Sequence, residues 1–231
     1  TPYLRHNIAF PRQAFGLDKV EVRPYDPSER LSQEVLVRNR ETVENIRLWD
    51  WRLLAQTFRQ LQQIRTYYQF EEVDTDRYLI DGRMRQVMLS PRELSDRLPG
   101  KSETWLNRRL QYTHGYGLAM SLTAETGPQG DPVLLIKDLP PITSGGLIVD
   151  QPAIYYGKDM SGYRIVGTNV QELDYPRGDD NVYVSYAGHG GVRLDSIWKK
   201  LLFAWHRLDI SILLTSYITD DSRLQLWRTV Q

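Results

Sequence analysis

The chain has 231 residues, with 29 Lys+Arg against 29 Asp+Glu, 41% hydrophobic and 11% aromatic positions, 16 Gly, 12 Pro and no Cys. Such a composition can bury a core, and it excludes disorder, collagen and disulfide scaffolds. Without cysteine there is no thiolate nucleophile, no Cys-ligated zinc and no iron–sulfur cluster.

The zero net charge hides a gradient: residues 1–70 hold 11 basic and 8 acidic side chains, and residues 111–190 hold 4 and 9. No stretch concentrates the basic face needed to neutralise several phosphates, so nucleic acid is not an expected partner. Arginine supplies 23 of the 29 cations, which favours bidentate pairing with carboxylates on the surface. Arg83, Arg85, Arg108 and Arg109 flank the tyrosine-rich middle and are alternative holders of an anionic ligand. No apolar run approaches the ~18 residues of a spanning helix.

In chain order, Pro11, Pro24, Pro27 and Gly16 predict an irregular N-terminal arm over residues 1–40, with one short helix around Ile8 to Phe15. Residues 41–231 read as an α+β domain, mostly antiparallel hairpins packed with two longer amphipathic helices. In the first helix, Trp51, Leu54, Phe58 and Leu61 recur at helical spacing, Asp50 is the N-cap, and the end falls near Arg65. Tyr67 to Phe70 reads as strand, followed by an acidic connector of Glu71, Glu72, Asp74 and Asp76. Asp81-Gly82 predicts a type I′ hairpin. Ser90-Pro91-Arg92-Glu93 reads as a helix start, and Glu103 to Leu110 as a helix.

A second hairpin joins Gly117–Ala124 to Val133–Ile136, and short strands follow at Ala153–Tyr156, Tyr163–Thr168 and Val182–Tyr186. The second long helix spans Leu194 to Trp205, capped by Asp195, with Ile197, Leu201, Leu202 and Trp205 as its buried face. Asp220 and Asp221 open an amphipathic run through Leu224, Leu226 and Trp227 that no Gly or Pro closes. Nor is there an initiator Met or a signal peptide, so both ends read as cut from a longer protein.

None of the histidines (His6, His114, His189, His206) has metal-ligand spacing to another, and no metal or cofactor is expected. Thr113-His114-Gly115-Tyr116-Gly117 is the most suggestive stretch: two glycines let backbone approach a ligand, while imidazole and phenol offer proton transfer. The structural alternative is a tight bend before a strand. Gly188-His189-Gly190-Gly191 lacks the Lys and Ser/Thr of a phosphate loop and reads as a turn. Asp179-Asp180-Asn181 is a turn cluster. His114 and Arg109 are the candidate catalytic residues, though no carboxylate partner for His114 is assignable from sequence.

Several strings occur in a single order: Arg40-Glu41-Thr42-Val43-Glu44-Asn45-Ile46-Arg47-Leu48-Trp49-Asp50, Arg65-Thr66-Tyr67-Tyr68, Tyr78-Leu79-Ile80-Asp81-Gly82 and Thr113 to Gly117. With Ile154-Tyr155-Tyr156-Gly157, Tyr175-Pro176, Asp180-Asn181-Val182-Tyr183 and Gly190-Gly191-Val192, they resemble the bacterial integral membrane proteins of uncharacterised protein family 0182. The resemblance implies a parent held in the membrane by transmembrane helices outside this chain, with this stretch part of a soluble, extracytoplasmic region. It supplies no reaction, substrate or catalytic residue. The expected function is therefore a non-catalytic binding or assembly domain with a protein or anionic ligand as partner. A buried acid–base pair in a cleft is the observation that counts against it. The rivals are an envelope-associated enzyme on an anionic substrate, with His114 as acid or base and Arg109 steering, and a regulatory domain of a transporter.

Overall fold

The computed structural model describes residues 2–25 and 31–230. The chain divides into two units, residues 1–40 and 41–231. In the first, the short helix expected around Ile8 to Phe15 is present but begins earlier than expected, as α1 (Pro2–Ala14), which carries Pro11 in its interior. Gly16, at φ 66, then turns the chain into a 3-10 turn at Leu17–Lys19. Pro11 removes one N–H donor, and the helix continues through it to Ala14. Pro27 lies outside the described residues. Ser32 caps α2 (Gln33–Arg38) by accepting from Val35 N. A four-residue helix, α3 (Arg40–Val43), falls across the division.

The second unit is α+β, its sheets antiparallel. α4 (Trp51–Gln62) opens where Asp50 Oδ1 accepts from Arg52 N at 2.8 Å. Its buried residues are Leu54, Ala55, Phe58 and Gln62, so the core stripe is turned from the predicted one, leaving Trp51 and Leu61 exposed. The helix stops short of Arg65 because Ile64 adopts φ 62. Leu54 and Phe58 pack on Phe70, Val73, Met88 and Ala119.

β1 (Tyr68–Gln69) is followed by β2 (Asp74–Ile80) and β3 (Arg83–Pro91). Asp81 and Gly82, at φ 50 and 74, make the predicted type I′ turn between the last two. The acidic connector is partly strand, because Asp74 and Asp76 belong to β2. The helix expected at Ser90-Pro91-Arg92-Glu93 is absent: the chain stays extended into β4 (Glu93–Leu94), which pairs with β1, and Arg92 N donates to Gly117 O. After a 3-10 turn at Gly100–Ser102, the helix expected near Glu103 to Leu110 is a short turn widening to a π turn over Asn107–Gln111, with Leu110 buried.

β5 (Gly115–Tyr116) leads into β6 (Leu118–Thr126), β7 (Pro132–Lys137) and β8 (Ile142–Thr143). The second predicted hairpin is thus present as β6–β7, and the main sheet runs in the order β2-β3-β6-β7-β8. β9 (Ala153–Ile154) pairs with β5. β10 (Arg164–Val166) comes next, and β11 (Glu172–Arg177) then forms a hairpin with β12 (Asp180–Val184) around Gly178-Asp179. β13 (Val192–Arg193) precedes α5 (Ile197–Arg207) and α6 (Ser211–Leu214). The tail read as an amphipathic run is a strand, β14 (Arg223–Gln225), inserted between β10 and β13.

α5 departs most from the sequence expectation. Its cap is Ser196, accepting from Trp198 N, whereas Asp195 pairs with Lys199 at 2.6 Å. Only Ala204 is buried; Ile197, Leu201, Leu202 and Trp205 face outward, Trp205 with 77% of its surface exposed. Apolar periodicity establishes that a helix has one greasy face but does not say what covers it.

Candidate functional site

Thr113 and His114 sit immediately before β5, and the local sequence explains why they are held rigidly. Gly115 lies against the Arg92–Glu93 backbone, where a Cβ would overlap the Arg92 carbonyl oxygen and come within 2.8 Å of Glu93 Cα. Arg92, itself buried, donates from Nη1 to Tyr116 O and from Nε to Gln62 O, tying β5 to the end of α4. Burial lowers the pKa of this guanidinium to about 10. Glu93 accepts from the backbone N–H groups of Lys158 and Asp159 through its two carboxylate oxygens, fixing the segment that follows Tyr155-Tyr156.

Around His114 the fold assembles a closed polar cluster. Its Nδ1 lies 2.8 Å from Thr113 Oγ1, and its Nε2 lies 3.3 Å from Asp174 Oδ1. Thr113 Oγ1 donates to Glu172 Oε2 at 2.5 Å, Tyr155 OH donates to the same oxygen at 3.1 Å, and Gly167 N donates to Glu172 Oε1 at 3.0 Å. The Tyr155 ring lies against the imidazole, with centroids 4.5 Å apart. Burial disfavours the charged imidazolium, but hydrogen bonds to Asp174 and Glu172 outweigh it and raise the His114 pKa. Tyr155 is raised too, by burial and then by the Glu172 charge, which keeps its phenol neutral.

Both carboxylates come from β11, about sixty residues downstream. The register between β11 and β12 slips between Leu173 and Tyr175, so Asp174 has no partner across the ladder. A bulge of this kind re-aims a side chain, and here the carboxylate reaches the imidazole.

Next to the cluster lies a cleft of about 730 Å³ lined by Tyr116, Tyr155, Tyr156, Tyr186 and Asp174, with Gly188 at its edge. The Thr113 to Gly117 bend contributes Tyr116 to this concavity, and the Gly188 to Gly191 turn contributes Gly188. No Lys, Arg or His among the described residues lines it. Among the described residues no group of three or more His, Asp or Glu side chains is placed to hold a metal ion.

A family model described as Uncharacterised protein family (UPF0182) matches residues 1–231. The chain belongs to UPF0182. A UPF0182 protein of Trichodesmium erythraeum is 47% identical over 231 residues, covering 100% of this chain and 25% of the relative. One of Salinibacter ruber is 48% identical over 235 residues, covering 100% and 24%. One of Cupriavidus necator is 46% identical over 232 residues, covering 100% and 26%. The chain spans about a quarter of the length of the curated relatives it matches. No solved structure matches it.

In this UPF0182 chain the two candidate catalytic residues are not brought to one concavity. His114 is enclosed, 1% exposed, behind the cleft. Arg109 donates from Nη1 to Tyr163 O and stacks 4.1 Å from the Tyr163 ring, and it does not line the cleft. Of the remaining arginines read as anion holders, Arg85 pairs with Glu125 and Arg108 with Glu103, while Arg83 lies 3.8 Å from Glu44. Glu172 and Asp174 were missed from sequence, whereas the tyrosine pair Tyr155-Tyr156 and Tyr186, read there as groove-lining or half-buried strand residues, do line the cleft. The only available signal was the Glu172-Leu173-Asp174 spacing, two carboxylates around an apolar residue in a strand.

Proposed function

We propose that the chain is a ligand-binding domain of a longer membrane protein, and that its tyrosine-lined cleft takes a small organic cation. The supporting observation is the lining itself: four tyrosines and one carboxylate, Asp174, with no basic side chain among the described residues. Ring faces and carboxylates both attract positive charge, and the effect strengthens where the ligand is desolvated. With His114 protonated, the two carboxylates Glu172 and Asp174 leave the cluster with a formal negative excess behind the cleft.

A buried acid–base cluster is the feature that would favour an enzyme. Here, however, both imidazole nitrogens are engaged within the protein and the ring does not line the cleft. Asp174 and Tyr155 are its members that do. Binding therefore has the better support, and the anionic substrate considered from sequence has no counter-charge in this lining.

Membrane attachment and an extracytoplasmic position rest on the family resemblance and on the parent's length, about four times that of this chain in the relatives. No helix among the described residues is long and apolar enough to cross a membrane. In the parent, an alkaline phosphatase fused within this region is expected to be active; an inactive fusion beside an active cytoplasmic reporter would reverse the sidedness. The ligand class is tested by calorimetric titration with choline. Saturable binding that disappears in Asp174→Asn and in Tyr186→Ala is expected, and equal heats in the unchanged chain and both variants would rule the cation out.

A further inference from the structure

Apart from the tyrosine cleft, the structure holds a second concavity of about 490 Å³, lined by Ser161, Gly162, Arg207, Trp227, Arg228 and Thr229. Its chemistry is opposite to that of the cleft. Arg228 is 1% exposed, yet none of the described carboxylates lies within ion-pair distance of it. It donates from Nε to Tyr155 O at 2.8 Å and from Nη2 to Thr113 O at 2.6 Å, while Nη1 is buried with no partner among the described residues.

Arg207 is in a similar position. Its Nε is buried without a partner among the described residues, and its guanidinium lies 6.0 Å from the Tyr163 ring. Directly beneath Gly162 are two more guanidinium groups: a Cβ at that glycine would lie 3.2 Å from Arg109 Nη1 and 3.4 Å from Arg164 Nη1. Arg109 also has a buried Nε with no partner among the described residues. Against these four cations stand Asp96, which pairs with Arg164 at 3.0 Å, and Asp209, which accepts from Trp105, Tyr163 and Ser211.

Burying a guanidinium without a counter-charge is unfavourable, and leaving its N–H groups unmet adds to that. Burial, reinforced by the Arg164 charge and only partly offset by the Asp96 charge, lowers the Arg228 pKa to about 9. Carbonyl oxygens satisfy two of its nitrogens but supply no negative charge. What this surplus of donors fits is a compact oxyanion, because planar guanidinium groups match its oxygens and the Ser161 and Thr229 hydroxyls add neutral donors.

We propose that the concavity between Arg207 and Arg228 is a binding site for a phosphate group, free or carried on a lipid headgroup. Because Arg228 also holds the carbonyls of Thr113 and Tyr155, the site shares one side chain with the backbone that shapes the tyrosine cleft. It does not depend on the cleft's ligand being a cation.

The test uses the 231-residue chain at constant ionic strength, titrated with inorganic phosphate and, separately, with vesicles of phosphatidylcholine containing phosphatidylglycerol. Arg207→Gln is the principal variant, since Arg207 is only half-buried and its side chain anchors no other described residue by a hydrogen bond; Asp174→Asn is the control in the other cleft. Saturable phosphate binding that weakens at least about tenfold in Arg207→Gln and is unchanged in Asp174→Asn is expected for a soluble phosphate. Vesicle binding with the same dependence on Arg207, without response to free phosphate, assigns the group to a lipid. No saturable response to either probe, or equal affinity in the unchanged chain and Arg207→Gln, overturns the proposal. Arg228→Lys, which retains charge but not the fork, provides a second check and should weaken binding if it folds with an unchanged far-ultraviolet spectrum.

Discussion

Replacing Glu172 with glutamine is the sharpest perturbation of the His114 cluster, because it preserves shape and removes charge. Glu172 accepts three donors, Gly167 N on one oxygen and the Thr113 and Tyr155 hydroxyls on the other. Glutamine offers a single carbonyl oxygen, so in either orientation at least one donor faces an NH₂ group. Hydrogen bonds to a charged partner contribute about 1.5–3 kcal/mol each. Removing one member of a buried ionic cluster costs about 3–5 kcal/mol, part of which glutamine recovers by keeping its volume. A loss of about 2–4 kcal/mol is expected, a large fraction of the roughly 5–15 kcal/mol available to a typical domain. Urea denaturation followed by far-ultraviolet circular dichroism should show a midpoint lower by roughly 1 M, at a slope of about 2–3 kcal/mol per M. The cycle with His114→Gln should show coupling of about 0.5–3 kcal/mol. A midpoint within about 0.2 M of the unchanged chain, with no coupling, would refute the claim that a charged Glu172 holds the imidazole.

Two further outcomes follow from the same geometry. Because the His114 pKa is raised on folding, its stabilisation is complete below the unfolded value of about 6.5 and is lost as pH rises through the folded one. The urea midpoint should therefore fall from pH 6 toward pH 8, and His114→Gln should flatten that fall; parallel profiles would contradict it. Gly115→Ala should destabilise by about 3 kcal/mol or more, since its Cβ meets backbone that cannot step aside. A melting temperature unchanged from that of the parent chain would show that the Arg92–Glu93 segment yields.

What could be read from sequence was local. Asp81-Gly82 specifies its turn through the backbone angles of two residues, and Asp50 caps α4 through a bond two residues away. Both are decided within a few positions, so no tertiary information is required. The His114 cluster is different. Thr113 and His114 meet Glu172 and Asp174 only because β11 packs behind β5, and the bulge that aims Asp174 depends on pairing with β12. The face of α5 failed for a related reason: Ile197, Leu201 and Leu202 form a stripe whose partner is not encoded in the helix itself. The arginine concavity was invisible in the same way. Arg109 was singled out by its neighbour in sequence, whereas Arg207 and Arg228 come from separate later segments and meet only around the Ser161-Gly162 loop.

The outward tryptophans have a practical consequence for anyone following this chain by fluorescence. Of six indoles, Trp51, Trp198, Trp205 and Trp227 are exposed, so native emission should already be red-shifted and readily quenched by iodide. Denaturant will then change the spectrum little, and an apparently flat trace will mask a real transition. The same property makes Trp198 and Trp205 reporters in the opposite direction: whatever shields that helix will shift their light to the blue before any other signal moves.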